Sequence, residues 1–322
     1  MKKQAFNSLL LTLIILIFSL VSKVDRDNLR KISSQNNIQD TSLTASIQPA
    51  LLTPQKESRT TVIDLPDFAG LIVPQRKEGV PLPATNVQAA LVEDLDTGTD
   101  LFDLKSDARW PIASVTKLMT IVIALENVGR DKHIPISEKA FNTEGESGKF
   151  KIGEIYKTGD LIKASLVVSS NDAAQAIADF YGESNFISAM AEKAGALGMS
   201  QTNFSEVTGL SFLNQSTARD LEKLVKYILK THPDIFDTTR LKEVVITDVN
   251  NNNGKTLTNI NVFAGRPDFL GGKTGFIDAA GKNQISIFQH QGHRILIIVF
   301  GAEIRFEQTE LLYNWMKSAY TF

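Results

Sequence analysis

The sequence predicts an α/β fold in which an antiparallel β-sheet is covered by helices. Two pairs of strand-like segments support this prediction, one near the start of the folded region and one near the end of the chain. A mainly helical block, from about residue 114 to residue 232, separates the two pairs. This order favours a sheet whose first and last strands are adjacent, together with a helical subdomain inserted between them.

The strand predictions rest on short apolar runs separated by turn residues. Residues 87–94 form the first such run, and residues 100–104 follow it after a turn that contains Gly98. Residues 284–290 and 294–301 flank the dipeptide Gln291-Gly292. Runs of this length around a Gly-containing turn are typical of β-hairpins.

The helix predictions rest on apolar periodicity and on residues that start or stop helices. Gly198 ends one predicted helix and Pro233 ends another, because glycine favours the position just after a helix and proline cannot continue one. The predicted helices are residues 118–125, 160–168, 172–181, 184–197, 217–232 and 306–320.

The amino-acid composition limits the classes of protein to which the chain can belong. The chain has 322 residues, of which 43% are hydrophobic and 22% are charged, with a formal net charge of −2. This is ordinary globular composition, and the lack of a basic excess argues against a nucleic-acid partner. The chain has no cysteine, which excludes disulfides and thiol chemistry.

The N-terminus has the pattern of an export segment. Lys2 and Lys3 precede an uncharged run over residues 5–22, long enough for about 27 Å of helix. We therefore predict that residues 1–23 are a signal peptide or a membrane anchor, and that the protein is extracytoplasmic. Residues 24–83, rich in Pro, Ser and Asn, are predicted to be an extended linker. Residues 84–322 form the predicted catalytic domain.

One short motif suggests nucleophilic catalysis. Ser114 and Lys117 form a Ser-x-x-Lys sequence, which occurs once in the chain and leads into the apolar run 118–125. Residues i and i+3 of a helix share a face, so the hydroxyl and the amine should lie side by side. A lysine can take a proton from serine only when it is neutral, which requires burial or a nearby cation. Ser114 could instead be a simple helix cap.

Two later motifs strengthen the interpretation that Ser114 and Lys117 are catalytic. Ser169-Ser170-Asn171 supplies a hydroxyl and an amide at a helix end, and Lys273-Thr274-Gly275 supplies a cation, a hydroxyl and close backbone approach. Each motif also occurs elsewhere, as Ser34-Gln35-Asn36 and Lys157-Thr158-Gly159. Only the set beginning at Ser114, Ser169 and Lys273 has the order Ser-x-x-Lys, Ser-x-Asn, Lys-Thr-Gly with a helical block between the last two.

With these motifs the chain resembles the serine D-alanyl-D-alanine carboxypeptidases, the low-molecular-mass penicillin-binding proteins, and most closely their short DD-endopeptidase branch. The similarity covers about residues 87–315 and extends beyond the three motifs. Its other matching segments are residues 111–120, 194–199, 208–211, 216–221 and 272–276. The resemblance implies a β-lactamase/transpeptidase-like fold, with an antiparallel sheet of about five strands flanked by helices and a mainly helical subdomain.

The resemblance also implies roles on the acylating side. Ser114 would attack the carbonyl carbon of a D-Ala-D-Xaa bond in a peptidoglycan stem peptide and form an acyl-enzyme, and Lys117 would be its general base. Ser169, held by Asn171, would relay a proton to the leaving amine. β-Lactams would act as covalent inhibitors.

On the substrate-binding side, Lys273, Thr274 and Gly275 would bind the terminal carboxylate, and Lys273 would help to keep Lys117 neutral. The backbone N–H of Phe276 would share the oxyanion with that of Ser114. Arg305 matches the spacing of a carboxylate-binding arginine of the family. The resemblance implies no metal and no cofactor.

Some features leave alternatives open. Ser170 stands where the family usually has Gly or Glu, and the β-rich C-terminal domain of the longer carboxypeptidases is not expected, so carboxypeptidase and endopeptidase both remain possible. A class A β-lactamase would need a carboxylate to activate water, for which Glu206 is the nearest candidate. An inactive cell-wall-binding module is a third alternative. A zinc peptidase is disfavoured because the histidines are scattered, at His133, His232, His290 and His293.

Overall fold

The computed structural model describes residues 72–145 and 148–322. The predicted signal or anchor, residues 1–23, and the first part of the predicted linker lie outside the described residues. Within those two ranges, no helix combines the length and apolar character needed to cross a bilayer.

The described strands belong to one large sheet and several two-stranded pairs. They are β1 (Gln75–Arg76), β2 (Ala89–Asp94), β3 (Thr99–Leu104), β4 (Trp110–Pro111), β5 (His133–Pro135), β6 (Ile155–Lys157), β7 (Gln215–Ser216), β8 (Glu243–Thr247), β9 (Gly254–Thr258), β10 (Phe269–Ile277), β11 (Gly281–His290), β12 (His293–Ala302) and β13 (Tyr320–Thr321).

The described helices form most of the chain between β4 and β8, and one more helix follows the large sheet. After a 3₁₀ turn at Ala113–Thr116 they are α1 (Lys117–Ile123), α2 (Glu138–Phe141), α3 (Thr158–Val167), α4 (Asn171–Tyr181), α5 (Glu183–Ala196), α6 (Ala218–Thr231), α7 (Asp234–Thr239) and α8 (Arg305–Ala319).

The large sheet has five antiparallel strands in the order β10-β11-β12-β2-β3. The early strand β2 lies beside the late strand β12, with Leu91 opposite Ile298. This confirms the predicted α/β class, the five-stranded antiparallel sheet and the adjacency of its first and last strands. β10 is an edge strand, so one side of its backbone is not paired within the sheet.

Both faces of the sheet are buried, which explains the long apolar runs in β12 and β2. All six residues of β2 are buried. Successive side chains of a strand point to opposite faces. Leu91 accordingly packs in the same cluster as Leu118 of α1, whereas Val92 packs in the cluster that contains Leu312 and Met316 of α8. Helices therefore cover the sheet on both sides.

The predicted helix over residues 118–125 is more complex in the structure. The 3₁₀ turn at Ala113–Thr116 precedes α1, and a π turn at Ala124–Val128 follows it. Every residue of α1 is buried, which agrees with the apolar run in the sequence. The other predicted helices begin and end within about two residues of the observed ones.

Several strands lie outside the runs predicted from the sequence, and the longest of them are β10 and the two strands of the hairpin β8–β9. The hairpin β8–β9 has alternating burial, with Val244 and Ile246 inside and Val245 exposed. β10 runs through the Gly-rich segment that contains Lys273, where glycines weaken the intrinsic preference for a strand. Pairing with β11, in which Lys273 lies opposite Ile285, determines its conformation instead.

The described end of the predicted linker contacts the rest of the chain. β1 pairs with β13, and the Arg76 guanidinium lies 5.3 Å from the ring centroid of Trp315. The indole Nε1 of Trp315 donates a hydrogen bond of 2.7 Å to the Pro81 carbonyl oxygen. Residues 75–81 are thus part of the packing around α8, while the predicted boundary at residue 84 remains a prediction.

We predict that a chain beginning at Ile72 is more stable than one beginning at Ala84. The shorter chain loses the β1–β13 pair, the Arg76 cation–π contact and the partner of the Trp315 indole. Losing these contacts should cost about 2 kcal/mol in the free energy of unfolding. That cost corresponds to a decrease of about 4–8 °C in Tm, measured by circular dichroism. Both chains should stay folded and soluble, and equal Tm values would contradict the prediction.

Candidate active site

The Ser-x-x-Lys motif lies at the start of the buried helix α1. Ser114 belongs to the 3₁₀ turn and Lys117 is the first residue of α1. Their side chains face each other, and the distance from Lys117 Nζ to Ser114 Oγ is 3.1 Å. The turn is attached to the sheet side through Asn283, whose Nδ2 donates to the Pro111 carbonyl oxygen at 2.8 Å. The predicted juxtaposition of hydroxyl and amine is therefore present.

The Lys117 amine is completely buried and has three oxygen neighbours. Besides Ser114, it donates to Asn171 Oδ1 and to the Thr208 carbonyl oxygen, each at 2.6 Å. Burial lowers the pKa of Lys117 to about 7, although the charges of Glu206 and Asp172 act in the opposite direction. A large fraction of the amine is therefore neutral near pH 7, as a base for serine must be.

The Ser-x-Asn motif connects α3 and α4. Ser169 has φ of +59°, in the left-handed region, and its Oγ accepts a hydrogen bond of 2.9 Å from Lys273 Nζ. Asn171 was predicted to hold Ser169, but its side chain forms hydrogen bonds with other residues. Its Oδ1 accepts from Lys117, and its Nδ2 donates to the Glu144 carbonyl oxygen at 2.6 Å. The asparagine thus orients the predicted base.

The middle residue of this motif does not face the cleft. Ser170 is completely buried, and its Oγ accepts from the backbone N–H of Ala173 at 3.2 Å. It is the N-cap of α4. A serine cap satisfies one of the unpaired N–H groups at a helix start. The departure from the usual Gly or Glu of the family therefore has a structural explanation.

The Lys-Thr-Gly motif lies on the edge strand β10. Lys273 is 1% exposed, and its Nζ donates to Ser169 Oγ and to the Thr274 carbonyl oxygen, both at 2.9 Å. Burial lowers the pKa of Lys273 well below its ordinary value, and the charges of Lys117 and Arg305 act in the same direction. Two buried amines that repel each other favour a state in which at least one of them is neutral.

Two glycines leave room beside the backbone of Ser114. A Cβ on Gly275 would lie 3.2 Å from the Ser114 nitrogen and 2.8 Å from the Ile112 carbonyl oxygen. A Cβ on Gly209, which has φ of +89°, would lie 2.7 Å from the same nitrogen. Glycine is required at both positions because a side chain would collide with the turn. The next residue after Gly275 is Phe276, the other predicted oxyanion donor, whose side chain is exposed.

Arg305 reaches the same site from the first position of α8. Its Nη1 donates to the Gly275 carbonyl oxygen at 2.9 Å. It lines a cleft of about 320 Å³ that contains most of the predicted site residues. The lining residues are Ser114, Gly145, Val168, Ser169, Asn171, Ile260, Thr274, Gly275, Phe276 and Arg305. Lys117 and Lys273 lie just beneath this lining.

Sequence reasoning missed the contribution of the loop around Glu206. The Thr208 carbonyl oxygen is one of the three acceptors around Lys117. Glu206 does not extend into open space, because its carboxylate accepts from the backbone N–H groups of Thr208 and Gly209, at 2.6 and 2.7 Å. A backbone carbonyl has no signature in the sequence, and only the fold brings it to the lysine. Across residues 72–145 and 148–322, no group of three His, Asp or Glu residues is placed to hold a metal ion.

Comparison with known sequences agrees with this geometry. Residues 76–304 match the model of the D-alanyl-D-alanine carboxypeptidase family, peptidase family S11. A D-alanyl-D-alanine endopeptidase of Pseudomonas aeruginosa is 32% identical over 257 residues, which are 76% of this chain and 82% of that protein. A D-alanyl-D-alanine endopeptidase of Haemophilus influenzae is 35% identical over 212 residues, 63% of this chain and 71% of that protein.

Solved structures share the fold. Penicillin-binding protein D2 of Listeria monocytogenes, in its cefotaxime-bound form, is 30% identical with a TM-score of 0.65, over 74% of this chain and 99% of that one. A D-alanyl-D-alanine carboxypeptidase of Mycobacterium tuberculosis is 25% identical with a TM-score of 0.69, over 76% and 96%. From the family match, the relatives and the shared fold together, we conclude that this chain belongs to the D-alanyl-D-alanine carboxypeptidase family of serine peptidases.

Proposed function

We propose that this protein cleaves D-Ala-D-Xaa bonds in peptidoglycan stem peptides, as a carboxypeptidase or an endopeptidase, through an acyl-enzyme on Ser114. The observation that supports this most directly is the Lys117 amine, which is buried and lies 3.1 Å from Ser114 Oγ. Its lowered pKa makes it a base at neutral pH. A surface lysine beside a serine would stay protonated and could not activate the hydroxyl.

Acylation begins with transfer of the Ser114 hydroxyl proton to Lys117 Nζ. The Ser114 oxygen attacks the carbonyl carbon, and the negative charge that develops on the carbonyl oxygen is stabilised by the N–H groups of Ser114 and Phe276. When the C–N bond breaks, the proton that Lys117 took from Ser114 passes by way of Ser169 to the leaving amine, and Lys117 is neutral again. A water molecule then attacks the ester and gives one proton to Lys117, which returns it to the Ser114 oxygen as the ester C–O bond breaks and the acid is released.

The positive side chains of the cleft suit a substrate with a carboxylate. Lys273 and Arg305 flank Thr274 and Gly275, and all four belong to or adjoin the edge strand. A bound carboxylate would raise the pKa of Lys273 and favour its protonated form. Protonated Lys273 would in turn keep Lys117 neutral. Substrate binding and base activation are therefore coupled in this proposal.

The environment of Glu206 argues against the alternative of a β-lactamase. A deacylating carboxylate must hold a water molecule, but the oxygens of Glu206 already accept from Thr208, Gly209 and Asn214. β-Lactams should therefore acylate the protein, and the adduct should be hydrolysed slowly. Penicillin-binding protein D2 of Listeria monocytogenes has been solved in cefotaxime-bound and ampicillin-bound forms, which supports covalent inhibition here.

A cell-wall substrate implies that the protein acts outside the cytoplasmic membrane. The charged start and uncharged run of residues 1–23 support export, and in this proposal the segment either is cleaved or keeps the protein at the membrane. The following residues, up to about residue 74, would then separate the catalytic domain from the membrane surface.

We predict that Ser114→Ala abolishes the activity but not the fold. The wild type and the variant are incubated with defined muropeptides, and the products are identified by mass spectrometry. Loss of the only attacking oxygen should reduce hydrolysis by at least about 10³-fold. Loss of a terminal D-alanine identifies a carboxypeptidase, and cleavage of a cross-linked dimer identifies an endopeptidase. Undiminished hydrolysis by a folded Ser114→Ala protein would place the nucleophile elsewhere.

We predict that the two buried lysines tolerate arginine differently. Lys117→Arg cannot lose its proton, so acylation by benzylpenicillin should fall by about 10²–10⁴-fold. Lys273→Arg carries the positive charge that Lys273 has in the proposed carboxylate-bound state, so it should retain much more of the rate. Acylation rates are measured from intact-mass spectra, and equal losses would argue against separate roles.

The pH profile of the wild type provides the matching control for these variants. Only the neutral amine of Lys117 accepts the proton, so the acylation rate should rise with pH, with a midpoint near 7. A rate that falls as the pH rises through 7 would contradict a lysine base.

We predict that the benzylpenicillin adduct is long-lived. Its leaving group stays tethered in the cleft, and no carboxylate among the described cleft-lining residues is available to activate water. Each 1.4 kcal/mol of missing transition-state stabilisation slows deacylation about tenfold. The adduct should persist for minutes or longer after the free drug is removed, as followed by intact-mass spectrometry. Rapid catalytic consumption of the drug would support the β-lactamase alternative.

A further inference from the structure

The carboxylate of Glu206 organises the loop that follows it. Its Oε2 accepts from the backbone N–H of Thr208 at 2.6 Å and from Thr208 Oγ1 at 2.5 Å. Its Oε1 accepts from the N–H of Gly209 at 2.7 Å, from Asn214 Nδ2 at 2.8 Å and from the N–H of Ser211 at 3.4 Å. One side chain therefore receives hydrogen bonds from four residues of the loop, which we call the 206–214 loop.

The 206–214 loop is in direct contact with the nucleophile and the base. The Thr208 carbonyl oxygen accepts from Lys117 Nζ at 2.6 Å. The loop is tied to α1 by Thr120, whose Oγ1 donates to the Val207 carbonyl oxygen at 2.7 Å. Gly209 lies against the backbone of Ser114. A shift of this loop would consequently move an acceptor of the base and the wall beside the nucleophile.

We propose that Glu206 is a positioning residue for acylation, which holds the Thr208 carbonyl oxygen on the amine of Lys117 by fixing the conformation of the 206–214 loop. The inference rests on the proposed function, because it assumes that Lys117 is the base. Glu206 makes no hydrogen bond to Ser114 or Lys117. It positions the loop through Thr208 and Gly209, and its charge favours the protonated form of Lys117.

The hydrogen-bond pattern requires a carboxylate rather than an amide. Both oxygens of Glu206 accept from N–H donors, so neither position suits an NH₂ group. Glutamine would place a donor against the N–H of Thr208 or against those of Gly209 and Asn214. Leaving such donors unpaired is unfavourable and should loosen the loop. Aspartate keeps both acceptor oxygens and the charge but is shorter by one methylene group.

The charge of Glu206 gives this role a signature in the pH profile. Three charged groups act on Lys117 from different elements. Glu206 in the loop and Asp172 in α4 favour its protonated form, and Lys273 in β10 opposes it. Removing the negative charge of Glu206 should lower the pKa of Lys117 further. If Glu206→Gln only disturbed the structure of the loop, it would decrease the acylation rate without moving this midpoint.

The test uses the full-length protein and benzylpenicillin as the probe. The acylation rate constant is measured by intact-mass spectrometry from about pH 5 to pH 9, well below the Tm of each variant. Glu206→Gln is compared with Glu206→Asp. Glu154→Gln is the matched control, because Glu154 also accepts a backbone N–H, from Lys151, and a side-chain hydroxyl, from Tyr156.

We expect two changes in Glu206→Gln. The plateau rate should fall by about 10- to 100-fold, because the base loses its orientation. The midpoint should shift to lower pH by about 0.5–1 unit. Glu206→Asp should have the wild-type midpoint but a plateau rate below that of the wild type. Glu154→Gln should have both the midpoint and the plateau rate of the wild type.

An unchanged plateau rate and midpoint in Glu206→Gln would overturn this inference but not the proposed function. If Glu206→Gln does not fold, Glu206→Asp and the control decide the question. A wild-type plateau in Glu206→Asp would overturn the inference, and a lower plateau in Glu206→Asp beside a wild-type plateau in Glu154→Gln would support it. A wild-type protein that forms no adduct on Ser114 would overturn the proposed function and this inference together.

Discussion

The structure depends above all on the burial of one amine. Lys117 is fully enclosed, and taking an ammonium group out of water is so unfavourable that it either loses its proton or finds acceptors. Both responses are visible here. Its pKa is lowered to about 7, and its three oxygen neighbours come from a 3₁₀ turn, a helix start and a distant loop. Lys117 is thus the point at which three separate parts of the chain meet.

The second buried amine extends this constraint across the cleft. Lys273 lies on the edge strand of the sheet and contacts Ser169, which lies between α3 and α4. Because the two amines disfavour each other's charge, the protonation of one influences the other. Lys273 on β10 and Lys117 on α1 therefore couple the sheet to the helical part of the molecule electrostatically. In the proposed function, this arrangement would let a carboxylate bound beside Lys273 alter the basicity of Lys117.

Much of the fold could be predicted from the sequence because its signals are local. The apolar runs that became β2, β11 and β12 are buried over most of their length, and the periodic segments that became α5, α6 and α8 each bury one apolar face. The adjacency of β2 and β12 followed from their positions at the two ends of the helical block. The strand β10 was harder to predict because its glycines obscure the strand pattern, and the hairpin β8–β9 because of its polar residues. In both cases, pairing with a neighbouring strand decides the conformation.

The sequence by itself identified the candidate reacting groups, because Ser114, Lys117, Ser169, Asn171 and Lys273 stand out by motif order and spacing, and the structure brings them together. Tertiary structure decided what each group contacts. Asn171 orients Lys117 rather than Ser169, and Ser170 caps a helix instead of facing the cleft. The Thr208 carbonyl oxygen at Lys117 is a backbone atom, and every residue type has one. Which carbonyl a buried amine reaches depends on how the folded chain places distant segments together, and no local pattern of side chains encodes that.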